Sequence, residues 1–147
     1  MPYKPGALVL TCSDGRLHQA DHPYLAEYLR GKHIGITTWD LAAVHGGCRG
    51  LVTGDAAEKA FVLAMVQRAH EGRGVTNVIL VNHSDCDVYG GLQAFGDATA
   101  EFRKHAEDLR AARLVLRQAI PNLDMRLVFA SIEERPDGSF VTFDEVR

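Results

Sequence analysis

Short runs of consecutive apolar residues alternate along this chain with longer stretches whose apolar positions recur every three or four residues. Ala7 to Thr11 reads as a first strand. His22 to Arg30 reads as a helix, with Leu25 and Leu29 four apart and Tyr24 and Tyr28 beside them. Pro23 suits its first turn, and Asp21 is the candidate cap. Asp40 to Val44 predicts a short second strand ending at Gly46-Gly47, although Ala42 and Ala43 are poor strand formers. Thr53 or Asp55 can cap a helix from Ala56 to Ala69. Its expected inner face carries Ala57, Phe61, Ala64, Met65 and Ala69, with Gly72 and Gly74 closing its end. Val78 to Val81 is an unbroken apolar run, the pattern of a strand buried on both faces. Glu101 to Ala119 reads as a long helix stopped before Pro121, with Phe102, Ala106, Leu109 and Leu116 inward. Met125 to Ala130 predicts another strand, and Phe140 to Phe143 an edge strand after the Pro136-Asp137-Gly138 turn.

Strands alternating with helices predict an α/β fold: a mainly parallel sheet flanked by helices, right-handed crossovers, and an antiparallel C-terminal edge strand. At 147 residues the chain is expected to form one domain, residues 1–147. A hydrophobic fraction of 46% and a charged fraction of 24% are those of an ordinary globule. A net charge of −3 without a basic run argues against nucleic acid or an anionic membrane surface as partner. No segment approaches the roughly 20 apolar residues needed to span a bilayer. Residues 1–6 resemble no secretory leader, so the expected compartment is the cytoplasm. Three cysteines, Cys12, Cys48 and Cys86, fit metal binding or free thiols better than disulfides there.

Ligands of such sheets bind beyond the carboxyl ends of strands. Two short segments fall there: Cys12-Ser13-Asp14-Gly15-Arg16 after the first strand, and His83-Ser84-Asp85-Cys86 after Val78–Val81. Cys12, His83 and Cys86 make a Cys2His set, which leaves the fourth position of a tetrahedral zinc open, as in catalytic sites. Taken singly, each cysteine is as readily a buried free thiol. Asp14 and Arg16 are either a turn residue and a surface cation, or a pair in which the guanidinium keeps the carboxylate ionised and aimed at the metal's water. Freed from Arg16, Asp14 could itself take the open position. Cys48 reads as a free loop thiol; ligation by it would close the site as Cys3His, a structural or redox arrangement. His45 reads as a solvated loop residue or a proton shuttle. His18, His22, His33, His70 and His105 are expected at the surface, and Gly90-Gly91 in a turn.

Together, Cys12-x-Asp14-x-Arg16 and His83-x-x-Cys86 resemble the paired signature of the β-class carbonic anhydrases. The resemblance extends through Asp40–Val44, the helix from Ala56 and the strand Val78–Val81 to the C-terminal strand. It implies a Zn2+ enzyme, with Cys12, His83 and Cys86 as ligands and Asp14 and Arg16 as catalytic residues. The implied reaction is the reversible hydration of carbon dioxide to bicarbonate by zinc-bound hydroxide. It further implies a homodimer or a multiple of dimers. The chain departs from the family where an Arg-Asn-Ala-Gly type segment is usual; here it reads Val44-His45-Gly46-Gly47-Cys48-Arg49-Gly50. Asp87 follows the second cysteine where glycine is usual, the stretch from Arg16 to Asp40 is longer, and eleven residues precede Cys12 where the family carries a longer arm. These departures keep two alternatives open: a zinc hydrolase of carbonyl sulfide or carbon disulfide, and a non-catalytic zinc-binding or redox-sensing domain using Cys48.

Overall fold

A computed structural model describes residues 3–147. Five strands form one sheet: β1 (Leu8–Cys12), β2 (Asp40–Val44), β3 (Asn77–His83), β4 (Asp124–Arg135) and β5 (Gly138–Val146). Their order is β2-β1-β3-β4-β5. The first three pairings are parallel and β4–β5 is antiparallel, so the fold is the expected α/β one, with an antiparallel strand at its C-terminal edge. The helices are α1 (Tyr24–Arg30), α2 (Arg49–Val52), α3 (Ala56–Arg73) and α4 (Ala98–Ala119). None of them is long and apolar enough to cross a membrane.

Helices cover both faces of the sheet. On one side Leu51, Val62, Val66, Leu109 and Leu116 pack on Leu8, Leu10, Leu80 and Leu127. On the other, Leu17, Leu25 and Leu29 pack on Val9, Ile79, Val81 and Val128. Burial on both faces is why β1 and β3 read as continuous apolar runs. β1 pairs with β2 on one side and β3 on the other, in registers that bring Cys12 beside Val44 and Thr11 beside Val81. The chain leaves β1 in one direction to reach β2 and returns across it to β3. The carboxyl ends of β1 and β3 therefore meet at a topological switch point, the usual crevice for ligands in open α/β sheets.

Several local expectations change. Pro23, not Asp21, occupies the cap position of α1 and makes no side-chain capping bond, so α1 owes its place to Leu25 and Leu29. Asp55 caps α3 through the Glu58 amide, and the helix runs on to Arg73, closed by Gly74 in the left-handed conformation (φ 68°). Its inner face is Val62, Val66 and Ala69, whereas Phe61 is 63% exposed. Apolar residues surround this helix, so periodicity alone does not choose the face that packs. α4 begins earlier, at Ala98, where the Asp97 carboxylate accepts the Ala100 amide. Phe102 is half out and lies edge-on against Phe129, while Ala106, Leu109 and Leu116 are buried as expected. β4 and β5 extend as a hairpin well past their apolar centres, to Arg135 and from Gly138, with the Pro136-Asp137 turn between them.

Candidate metal centre

Cys12 is the last residue of β1, His83 the last of β3, and Cys86 ends the tight turn that follows. Among the described residues these three form a buried group in which one ligand atom from each lies within 4.8 Å of the others. Ligands 2.0–2.3 Å from a tetrahedral ion sit about 3.5 Å apart, so small adjustments close the set around zinc. The chemistry of the donors agrees. His83 is 1% exposed, and its Nδ1 lies 2.7 Å from the Ser84 carbonyl, which can only accept. In the neutral ring Nδ1 therefore carries the proton and Nε2 presents a lone pair. That Nε2 is buried without a hydrogen-bond partner. An orphaned buried acceptor is costly unless something such as a cation takes it.

The sulfurs are tuned as a pair. Cys86 donates to Cys12, which lowers Cys12 and raises Cys86; burial raises both. The His83 ring and the Gly46 amide, 3.4 Å from the Cys12 Sγ, further favour the Cys12 thiolate. Burial opposes charge on His83, but the Cys12 sulfur, the Ser84 carbonyl and Asp14 outweigh it and raise its pKa. A divalent cation displaces such shared protons, because it binds thiolate and neutral imidazole.

Asp14 and Arg16 form a two-pronged pair across a single turn. Arg16 Nη2 donates to Asp14 Oδ2 at 2.8 Å and Nε to Oδ1 at 3.1 Å, and the Arg16 amide reaches Oδ1 at 2.9 Å. Burial works against the Asp14 carboxylate, yet these bonds hold its pKa below the usual value. Asp14 Oδ2 lies 3.8 Å from His83 Nε2, so the carboxylate borders the three-residue group. Arg16 also meets Asp85 Oδ2 at 3.2 Å, the Asp85 carbonyl at 3.1 Å and Glu134 Oε1 at 3.0 Å. A solvent-open groove of about 630 Å³, lined by Arg16, Asp85, Phe95, Ile132 and Glu134 among others, reaches this pair from outside.

The remaining chemistry-bearing residues divide plainly. Cys48 is fully buried at the start of α2, outside the three-residue group, and its thiol donates to Asn82 Oδ1 at 3.3 Å. Burial and the Asp108 charge push its pKa up to about 12, which makes it a poor redox thiol. His45 and Asp87 are exposed and face one another at 3.4 Å. His105, expected at the surface, is 0% exposed inside α4 and its pKa falls to about 4, chiefly through burial. Gly90 and Gly91 form a turn, both with positive φ.

Three contributors escape the sequence reading. Gly46 approaches the centre so closely that a Cβ there would lie 2.9 Å from Val88, and its amide serves Cys12. The glycine pair after a strand, at the same level as the two half-motifs, was the available signal. Asp85 sits inside the second half-motif with φ 55° and joins Arg16. Glu134 comes from the far end of β4, and nothing in its surroundings in sequence marks it.

No protein-family model matches this chain, and no curated protein matches it by sequence. Solved structures do match. A carbonic anhydrase of Streptococcus mutans superposes with a TM-score of 0.58 at 19% identity, covering 100% of this chain and 86% of that one. A β-carbonic anhydrase of Trichomonas vaginalis gives 0.56 at 14% identity, covering 97% and 85%. One from Aspergillus fumigatus gives 0.57 at 12% identity, covering 97% and 76%. These likenesses establish a β-carbonic-anhydrase-like fold for nearly the whole chain.

Proposed function

We propose that this chain is a zinc enzyme that interconverts carbon dioxide and bicarbonate, with Cys12, His83 and Cys86 as the metal ligands. The observation that carries the reading is the buried Cys2His group at the β1/β3 switch point, with the unpartnered His83 Nε2 in it and an Arg-held carboxylate beside it. When bound, zinc supplies a Lewis acid that acidifies water at the position left open by three protein ligands.

The chain's own residues supply orientation. The Ser84 carbonyl fixes the His83 tautomer, and the Gly46 amide steadies the Cys12 sulfur. Asp14, kept ionised by Arg16, offers Oδ2 as an acceptor that aims the attacking oxygen. The same bonds keep Asp14 from binding the metal itself. Carbon dioxide reaches the pair along the Arg16–Ile132 groove; adding water gives bicarbonate and releases one proton. Asp87, whose charge motivated a sulfide-releasing alternative, is exposed and paired outward with His45, which weakens that motive. The resemblance to the family implies a homodimer or a multiple of dimers. The reading also places residues 1–147 in one zinc-binding domain working in the cytoplasm, without nucleic acid or membrane as partner.

Zinc content by mass spectrometry and stopped-flow carbon dioxide hydration test this together. The expected result is one zinc per chain with hydration that a chelator abolishes. Cys86→Ser loses the metal, whereas Asp14→Ala keeps it and turns over about 10–100-fold more slowly. A folded protein that takes up no zinc overturns the reading.

A further inference from the structure

Behind Cys86, between β3 and α4, lies a buried polar cluster that the ligand set does not include. Tyr89 donates its hydroxyl to Asp108 Oδ2 at 2.8 Å and accepts from Asn82 Nδ2 at 3.2 Å. Asn82 Nδ2 also lies 3.0 Å from His105 Nδ1, and Lys104 Nζ donates to Asp108 Oδ1 at 2.9 Å. Asp108 is 3% exposed. The Tyr89 ring lies tilted against His105, with centroids 4.1 Å apart, and the Arg49 guanidinium sits 5.3 Å from its centroid. A buried carboxylate requires such partners, and the bonds among them stiffen the cluster, in which His105 Nε2 is left without a partner.

The chain from Cys86 to Gly91 folds back on Cys86. The Tyr89 and Gly91 amides donate to the Cys86 carbonyl at 3.0 and 2.9 Å. The Val88 and Tyr89 amides also favour the thiolate form of Cys86. The Cys86 backbone, which carries the sulfur, is thus tied to the Tyr89 and Gly91 backbone. The other side chains of the turn hold it less firmly: Asp87 is exposed, and Val88 rests on the bare backbone of Gly46.

We propose that Tyr89, anchored by Asp108 on α4 and Asn82 on β3, is a positioning residue that holds the Cys86 turn and so sets how tightly the centre retains its metal. The inference rests on the metal-centre reading above and extends it to a residue that touches no metal. Its action runs through backbone amides, so the anchor is the tyrosine hydroxyl and the partner is the Asp108 carboxylate.

The test compares wild type, Tyr89→Phe, Asp108→Asn and Val146→Ala, all well below their unfolding temperatures, with folding checked by circular dichroism. Tyr89→Phe keeps the ring against His105 and removes the hydroxyl. Asp108→Asn removes the charge and leaves one oxygen for two donors, Tyr89 and Lys104. Val146→Ala opens the core at Leu127, the far end of the sheet from the centre. The readouts are the rate of zinc transfer to a chromogenic chelator and the sulfur-to-metal charge-transfer band of the cobalt(II) protein. Tyr89→Phe is expected to release zinc about 10-fold faster and to shift the cobalt band. Asp108→Asn should move both readouts in the same direction by less, and Val146→Ala should stay near wild type in both. Zinc release and a cobalt band unchanged in Tyr89→Phe overturn the proposal while leaving the metal reading standing. Equal acceleration in Tyr89→Phe and Val146→Ala overturns it as well, because general destabilisation then accounts for both. A wild-type protein that binds neither ion overturns the metal reading and this proposal together.

Discussion

Adding one methyl group at Gly46 should damage both the fold and the centre. Gly46 has φ 86°, and a Cβ there would lie 2.9 Å from Val88 Cγ1 and 3.3 Å from its Cβ. A left-handed conformation costs a residue with a side chain about 1–2 kcal/mol. Relieving the overlap costs about 1–3 kcal/mol more, because Val88 is half-buried and a packed neighbour must move. Gly46→Ala should therefore lose about 2–5 kcal/mol, measured by urea unfolding in the presence of chelator so that metal does not contribute. The same displacement pushes Val88 away, two residues from Cys86, and withdraws the Gly46 amide from Cys12. Zinc affinity should fall along with stability. Gly15→Ala is the control: nothing lies within 4 Å of where its methyl group would stand, and its φ is ordinary. It should change stability by no more than about 0.5 kcal/mol. A Gly46→Ala midpoint equal to that of Gly15→Ala would refute the argument that the loop after β2 is packed into the site.

Three further outcomes follow from particular side chains. Asp14 and Asp85 have depressed pKa values, Asp14 through Arg16 and Asp85 first through the Leu92 amide and then through Arg16. Their contribution is present above the unfolded carboxylate value of about 4 and is lost as the pH falls through the lower folded values. Arg16→Gln should flatten the fall in stability between about pH 5 and pH 2, as followed by thermal unfolding. Asp87→Asn should leave carbon dioxide hydration within about twofold of wild type, since its side chain is 79% exposed and faces only His45. Sulfide release appearing or vanishing in that variant would instead give Asp87 a part in substrate choice. Cys48→Ala should keep one zinc per chain and lose about 1–2 kcal/mol in urea, from a small cavity and the lost bond to Asn82. Loss of zinc in that variant would restore the Cys3His alternative.

The sheet was legible because each strand had to answer to its surroundings. Val78–Val81 is apolar at every position since helices cover both faces of β3, and a parallel strand so placed has no solvent side. The half-sites were legible for a related reason: both follow strands, and the strands prove to be neighbours. The packed face of α3 was not. Phe61 and Val62 are both apolar, and only the tertiary placement against Gly50 on α2 decides that Val62 goes inward. His105 was misplaced at the surface because its type is usually exposed. Its burial depends on Asn82 and Tyr89, which lie 23 and 16 residues away along the chain and meet it only once β3 and α4 pack. The hairpin ends of β4 and β5 escaped notice since charged residues such as Glu133 and Arg135 carry no apolar alternation, yet backbone pairing continues through them.

The central claim is that Cys12, His83 and Cys86 together hold one zinc and leave a fourth position to a light oxygen donor. X-ray absorption at the zinc edge of the purified protein tests it most directly. The account predicts two sulfur neighbours at about 2.3 Å, one imidazole nitrogen and one oxygen at about 2.0 Å. Three sulfurs, or a folded protein without zinc, would contradict it.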